Sequence, residues 1–301
     1  TMQNFVLLAV PLFIFMGIML EKSGIAERLL ETMALMFGKF RGGLAIAVVV
    51  VGAMLAASTG IVGATVVTMG LISLPTMLKR GYGPRLSTGV IASSGTLGQI
   101  IPPSVVLVLL GSVLNVSVGD LFIAAIVPGL GLVGCYLLYI IVYAQVFPDR
   151  APAMPKAEID VFKAKGISKE ILNSFVSPFL LILAVLGSIF AGIASPTEAA
   201  GVGAFGAMVL TIIDRKFNLS MLKEVMKETT LLTSMVFMIL VGATAFSLVF
   251  RGLEGDKLFL SMIDNAELSP TAFLLMVMLL VFVAGFFIDF IEIVFMSKGN
   301  L

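Results

Sequence analysis

Residues Gly52 to Ser104 read GAMLAASTGIVGATVVTMGLISLPTMLKRGYGPRLSTGVIASSGTLGQIIPPS, and the fold turns on them. Two apolar segments in this stretch are each broken by small polar residues where a membrane helix should be smooth. The first break is Ala57-Ser58-Thr59-Gly60. The second is Ser93-Ser94-Gly95-Thr96-Leu97-Gly98-Gln99, closed by Pro102-Pro103-Ser104. In hydrocarbon every backbone amide and carbonyl must find a partner. Gly, Ser and tandem Pro free several such groups, which is tolerable only where the backbone lines a site. The stretch reads as the ion and substrate site of a secondary transporter.

Composition agrees with a membrane setting. The chain has 301 residues, 59% hydrophobic and 12% charged, and its mean hydropathy is +1.13. A soluble domain averages about 25% charged residues, so an all-α integral membrane protein is expected. Long apolar runs without ten-residue alternation argue against an outer-membrane barrel. A net charge of +1 points to neither nucleic acid nor an acidic partner. There is no histidine, the commonest metal ligand and usual general base. The lone Cys135 lies in an apolar run and is expected to be a small packed hydrophobe. No G-x-x-x-x-G-K-[ST] loop is present to cradle ATP phosphates. No thiol–base pair or core acidic pair suggests a reaction centre, so the chain is not expected to be an enzyme.

The order of segments sets a topology. Phe5 to Leu20 is a first span, and Gly24 to Met33 is a short amphipathic helix suited to the membrane surface. Its charges Glu27, Arg28 and Glu31 oppose Ile25, Leu29 and Leu30. The arm Leu44–Ala57 has only 14 residues, short for a full span, and a second arm runs from Ile61 to Leu78. A re-entrant hairpin with its tip near the midplane would put Lys39/Arg41 and Lys79/Arg80/Arg85 on one side. Arg85 to Leu114 then crosses outward through its break, and Leu121 to Phe147 returns. Ile171 to Ile193 crosses outward, Glu198 caps the helix begun at Pro196, and the run Gly201–Gly206 opens a return span suited to close helix packing. Met221 to Thr230 is expected as a second surface helix, followed by the span Leu231–Phe250. A final apolar segment, Ala272–Met296, is a second re-entrant hairpin. On this path every basic residue except Arg251, Lys257 and Lys298 lies inside, as the positive-inside rule asks.

Two pairs of stretches look alike. Pro11–Met33 parallels Phe237–Ile263 as span, glycine, polar turn and short surface helix, and Gly52–Val67 parallels Val281–Met296. The first hairpin enters from inside and the second from outside. That is the inverted-repeat plan of secondary transporters, with the site at the repeat interface.

The motifs PLFIFMG, GIAERLL, AASTGIVGATVVTMG, SSGTLGQIIPPS, VGDLFIAAIVPG and SPTEAAGVGAFGA resemble the large membrane subunit of tripartite ATP-independent periplasmic (TRAP) transporters. The resemblance covers nearly all of Val10 to Phe295. It implies a sodium-coupled importer in the bacterial or archaeal inner membrane, with sodium as coupling ion and no other cofactor. The implied partners are a periplasmic substrate-binding protein, a small four-helix membrane subunit, membrane lipid and a small organic acid, such as a C4-dicarboxylate or a sialic acid. It also implies an elevator mechanism, in which a transport domain slides against a scaffold. The family has further membrane sequence before Thr1 and a second broken helix after the second hairpin, so the chain is expected to be truncated at both ends. On this plan residues 1–41 are a scaffold span with its interfacial helix, and 42–115 the first hairpin and broken helix. Residues 116–170 are a span and cytoplasmic linker, 171–266 the second-half scaffold, 267–296 the second hairpin, and 297–301 a polar tail.

Candidate site residues follow from the breaks. Ser58, Thr59 and Gly60 at the first tip offer hydroxyl and carbonyl oxygens to a hard cation; alternatively the hydroxyls satisfy their own helix carbonyls. Ser93, Ser94, Gly95, Thr96, Gly98, Gln99, Pro102, Pro103 and Ser104 carry the same chemistry in the broken helix, against a helix merely kinked by its prolines. Asp289 is the lone acid between Val281 and Ile291, and a carboxylate at that depth is normally functional. It ligates sodium or holds the tip, unless the segment lies near the outer surface and leaves it solvated. Thr244 lies in the break-like stretch Gly242–Ser247 and is a weaker candidate. Sodium ligands are expected from Ser58, Ser94, Gly95 and Asp289. The alternative to a transporter is a passive ion channel or pore, which should show one continuous polar stripe or a filter repeated by symmetry.

Overall fold

The computed structural model describes residues 5–59, 62–155, 175–255, 261 and 269–288. Among them every regular element is helical. After a 3-10 turn at Phe5–Leu8 come α1 (Ala9–Lys22) and α2 (Ile25–Phe37). Ser23 Oγ donates to the Leu20 carbonyl, and Gly24 takes φ 72°, a conformation glycine adopts without Cβ strain. Val6–Lys22 and Glu27–Phe37 therefore meet at 65°. As its spacing predicts, α2 buries Ile25, Leu29 and Leu30 and exposes Glu27 and Glu31. Arg28 is not free at the surface. It pairs with Asp214 from far along the chain.

Helices α3 (Gly43–Thr59) and α4 (Val62–Lys79) flank the first predicted tip, where Gly60 and Ile61 lie outside the described residues. The broken helix is α5 (Pro84–Thr96), a 3-10 turn Leu97–Gln99, an irregular stretch, and α6 (Val105–Leu114). The interruption falls where the sequence placed it. Then come α7 (Val118–Val146), a 3-10 turn Pro148–Arg150, α8 (Ser177–Phe190), α9 (Pro196–Ile213), α10 (Leu219–Gly252) and α11 (Pro270–Ala284).

Two helices form the centre. α3 is apolar on every side and buries Leu44, Ala45, Ala47, Val48, Val49 and Val51 against α1, α2, α4, α5 and α7. α1 packs on α3, α6, α9 and α10. Its tightest partner is α9, whose small residues Ala199, Ala200, Gly203 and Ala207 are buried. A Cβ on Gly203 would stand 2.6 Å from Met16 Sδ and 3.1 Å from Val185 Cγ2. Small residues replace side-chain bulk with close backbone approach, the usual means of helix association in lipid. Ser195 and Glu198 form the expected capping box at the start of α9.

Among the described residues three helices, α7, α9 and α10, are long and apolar enough to cross a membrane, and a fourth span results if the bent pair counts as one. Many of their outward side chains are apolar, with Val127 78% and Met238 74% exposed, as lipid-facing residues should be. Cys135 is also exposed on α7 rather than packed inside. α6, α8 and α11 have 10, 14 and 15 residues, short of the roughly 20 needed to span hydrocarbon alone.

One predicted boundary does not exist. Met221–Thr230 and Leu231–Phe250 form a single 34-residue helix, α10, instead of a surface helix and a span. No Gly or Pro lies between Leu219 and Val241, and the Thr229 and Thr230 hydroxyls donate back to Val225 and Met226 carbonyls. Lys22 at the end of α1 reaches Glu224 at 2.8 Å and Glu228 at 2.9 Å, tying the early turns of α10 to α1.

The basic turns do converge. Gly42 N–H donates to the Ala151 carbonyl, Met154 N–H to Gly38, and Gly83 N–H to Arg150. These bonds gather Lys39, Arg41, Lys79, Arg80, Arg85 and Arg150 at one end of the bundle.

Candidate functional site

The second break is held against α3 and α4 by two close crossings. α5 meets α3 at Ser94 and Gly52: a Cβ on Gly52 would stand 2.6 Å from Ser94 Cβ and 2.8 Å from its Oγ. One residue on, α5 meets α4. A Cβ on Gly95 would stand 2.3 Å from Val66 Cγ2 and 3.1 Å from Val66 Cα. Gly52 and Val66 lie seven and four residues from the helix ends at Thr59 and Val62, about 10 and 6 Å at 1.5 Å per residue. The facing ends of α3 and α4 therefore lie beside the interruption that follows α5.

Beyond Gly95 the helix tightens. Ile100 and Ile101 amides both donate to the Leu97 carbonyl at 3.0 Å, and buried Leu97 faces α3. Pro102 and Pro103, joined by a cis peptide bond, are buried and cannot donate to a helix ladder. Ser104 restarts the chain: its Oγ accepts from Leu107 N–H at 3.4 Å and donates to the Gln99 carbonyl at 2.7 Å. The buried hydroxyl is thus both the cap of α6 and a bridge across the break.

The other hydroxyls have local partners too. Ser93 Oγ donates to Gly89 at 2.7 Å, Ser94 Oγ to Ile91 at 3.1 Å and Thr96 Oγ1 to Ser93 at 2.8 Å. A hydroxyl whose proton is committed to a carbonyl keeps acceptor lone pairs. Each oxygen in the break is then an acceptor, suited to a hard cation. Among the described residues no group of three His, Cys, Asp or Glu converges, and the side-chain and backbone oxygens bonded across the break are hydroxyls and carbonyls.

Helix polarity adds to this. α3 and α5 end at the breaks, and α4 and α6 begin there. Helix C-termini carry partial negative charge and N-termini partial positive charge. The region offers carbonyl ends for a cation and amide ends for a carboxylate.

Other predicted residues are placed as follows. Ser58 and Thr59 close α3, while Gly60 and Asp289 lie outside the described residues. Thr244 is not brought to the breaks. It lies exposed on unbroken α10, which packs on α1, and its Oγ1 donates to Leu240. Sequence reasoning missed Gly52 and Val66, the partners in the two crossings. It also missed Thr68 of α4, whose hydroxyl donates to Glu21 at the end of α1. The signal for Gly52 was a lone glycine inside an apolar run, which marks close approach when its partner is known.

The profile of the tripartite ATP-independent periplasmic transporter, DctM component, matches residues 1–297. The chain belongs to this family. It is 34% identical to the C4-dicarboxylate TRAP transporter large permease DctM of Pseudomonas aeruginosa, over 96% of this chain and 66% of that protein. It is 30% identical to the ectoine TRAP large permease TeaC of Halomonas elongata, over 96% of this chain and 66% of that protein. The sialic acid TRAP large permease SiaM of Vibrio cholerae is 31% identical, over 95% of this chain and 66% of its own length. The chain thus spans just under two thirds of these permeases. Membership in this family and the apolar helices make it a multi-pass inner-membrane protein.

Proposed function

We propose that the TRAP permease carrying this chain imports a small organic acid by secondary transport coupled to sodium. The observation that carries the reading is the double crossing of α5 on Gly52 and Val66, which sets a hydroxyl-rich helix break beside the facing ends of α3 and α4. Sodium suits such a place, because uncharged oxygens replace its water without a buried full charge. The acid's carboxylate would face the amide ends of α4 and α6. Dicarboxylates, sialic acid and ectoine, named for three relatives, all carry a carboxylate.

The division of labour follows from the packing. α3, α4, α5 and α6 carry the breaks, while α1 and α9 form a tight pair through Gly203 and Met16. In an elevator cycle the first group would slide against the second, and the Glu21–Thr68 hydrogen bond would break and reform. A small four-helix membrane subunit would steady the scaffold, and a periplasmic binding protein would deliver the acid.

The test is uptake of a radiolabelled dicarboxylate or sialic acid into proteoliposomes holding the full-length large and small subunits. Binding protein is added outside, with and without an inward sodium gradient. Expected is uptake that needs both, reduced at least tenfold in Ser58→Ala and in Asp289→Ala if each removes one direct sodium ligand worth about 1.4 kcal/mol or more. Flux indifferent to sodium and to the binding protein would sink the importer and leave a pore.

A further inference from the structure

Between α5 and the far end of α7 lies a cavity of about 450 Å³, which of the residues in the break takes in Ser93 alone. One wall carries Arg85 and Ser93 from α5, the other Tyr139 and Tyr143 from α7, with Phe147 and Arg150 just beyond the end of α7. The rings form a ladder. Tyr139 and Tyr143 have centroids 6.0 Å apart, Tyr143 and Phe147 5.0 Å, and the Arg150 guanidinium lies 5.4 Å from the Phe147 centroid. Two cations and no acid line the cavity, and among the described residues neither arginine has a carboxylate partner. The remaining wall is apolar, from Leu86, Val90 and Ile140.

We propose that this groove binds the headgroup of an anionic phospholipid, with one acyl chain lying along the aromatic ladder. Three features choose lipid over a soluble anion. First, the groove sits at the end of the bundle where Lys39, Arg41, Lys79 and Arg80 gather, the end that faces anionic lipid headgroups under the positive-inside rule. Second, α7 has 29 residues, about 43 Å long, so it outruns a roughly 30 Å hydrocarbon core and lifts its last turns into the headgroup layer. The ladder runs eight residues, about 12 Å, from that layer back into hydrocarbon. Third, its edge continues onto exposed apolar side chains, Leu138 and Val142, which face lipid. A guanidinium stacked on a ring still presents N–H donors round its rim, the fork that matches a phosphate. Because the groove joins α5 to α7, a bound lipid would tie the broken helix to its neighbour.

The experiment is native mass spectrometry of the full-length protein in detergent with phosphatidylglycerol or phosphatidylcholine at equal concentration. One retained phosphatidylglycerol is expected, with phosphatidylcholine at least fivefold weaker. Arg85→Gln and Arg150→Gln should each weaken phosphatidylglycerol roughly fivefold, and about 25-fold together. Tyr139→Ala, which leaves the charge, should weaken it roughly threefold while leaving binding of short-chain glycerophosphate unchanged. This second variant keeps the test alive if the double arginine variant fails to fold by circular dichroism. Equal retention of the two lipids, or unchanged retention in the arginine variants, overturns the proposal. So does inorganic phosphate binding as tightly as the lipid, which would make the groove a soluble-anion site. Loss of the small membrane subunit instead of lipid in the arginine variants would assign the groove to a protein contact and overturn it equally.

Discussion

Residues 93–104 and Gly242–Ser247 look alike in sequence, both small and polar within an apolar span, yet one breaks its helix and the other does not. In the first, α5 gives way to a 3-10 turn and a buried Pro102–Pro103 step before α6 starts. In the second, α10 runs unbroken to Gly252, with the Thr244 hydroxyl bonded to the Leu240 carbonyl one turn back. Gly, Ser and Thr are compatible with either outcome, because a hydroxyl satisfies a helix carbonyl as readily as a loop amide. What decides is the pair of prolines, which removes two consecutive donors, followed by a serine able to cap what comes next. Packing reinforces the choice. Gly95 is pressed against Val66, whereas nothing lies within 4 Å of a Cβ built on Gly242.

The largest expected contrast is between those two glycines. Gly95→Ala places a methyl 2.3 Å from Val66 Cγ2 and 3.1 Å from backbone atoms of α4, so α5 and α4 must separate. Overpacking of this kind costs typically about 1–3 kcal/mol, and it should disturb uptake as well as stability because it displaces the break. Gly242→Ala should instead stabilise by up to about 1 kcal/mol from helix propensity alone. Melting temperatures of the two variants in detergent, beside uptake in proteoliposomes, check the pair. Equal effects would mean that α5 does not cross α4 as closely as the Gly95–Val66 contact implies.

The next contrast sets Ser104 against Thr244. Ser104→Ala removes the α6 cap and the bridge to Gln99, a loss of about 1 kcal/mol for the cap, with the buried Gln99 bridge adding about 1 kcal/mol more. Thr244→Ala removes only an exposed hydroxyl bonded to its own helix, so a change within about 0.5 kcal/mol is expected. Chemical denaturation monitored by circular dichroism would separate them. A Ser104→Ala protein as stable as Thr244→Ala would remove the serine from the explanation of the break.

The same contrast explains how far the sequence could be read. Helix class, the broken helix at Ser93–Ser104, the bend at Gly24 and the capping box at Ser195–Glu198 were legible because each rests on local chemistry. Glycine, proline and N-cap residues act within one turn of themselves. The small-residue face of α9 was legible for a related reason: residues suited to close packing find a partner wherever one is offered. The end of the supposed surface helix at Thr230 was not legible. Lys223, Glu224, Lys227 and Glu228 make an amphipathic pattern, but the pattern does not say that Glu224 and Glu228 will meet Lys22, some two hundred residues away. The pairing of Gly52 with Ser94 and of Gly95 with Val66 was hidden likewise, since sequence spacing carries no information on which helices cross. The groove between α5 and α7 needed the turn that returns Arg150 to Gly83.

The smallest effect tests what keeps α10 whole. Lys22 holds two carboxylates one helical turn apart, and its side chain and theirs are 30%, 55% and 39% exposed. At such exposure each pair contributes little, because water screens the attraction and two long side chains lose freedom. Lys22→Gln should therefore lower the melting temperature only slightly at low salt. The deficit should vanish near 1 M salt, where the screening length falls to about 3 Å. Arg28→Gln should behave differently: Asp214 is only 16% exposed, so it loses its partner where water replaces it poorly, and the deficit should survive added salt. The two salt series, read as melting temperatures on the same preparation, distinguish an electrostatic tether from a packed one. If the Lys22→Gln deficit also survives 1 M salt, the continuity of α10 rests on its packing against α1 and not on the ion pairs, and Glu224 and Glu228 become ordinary surface charges.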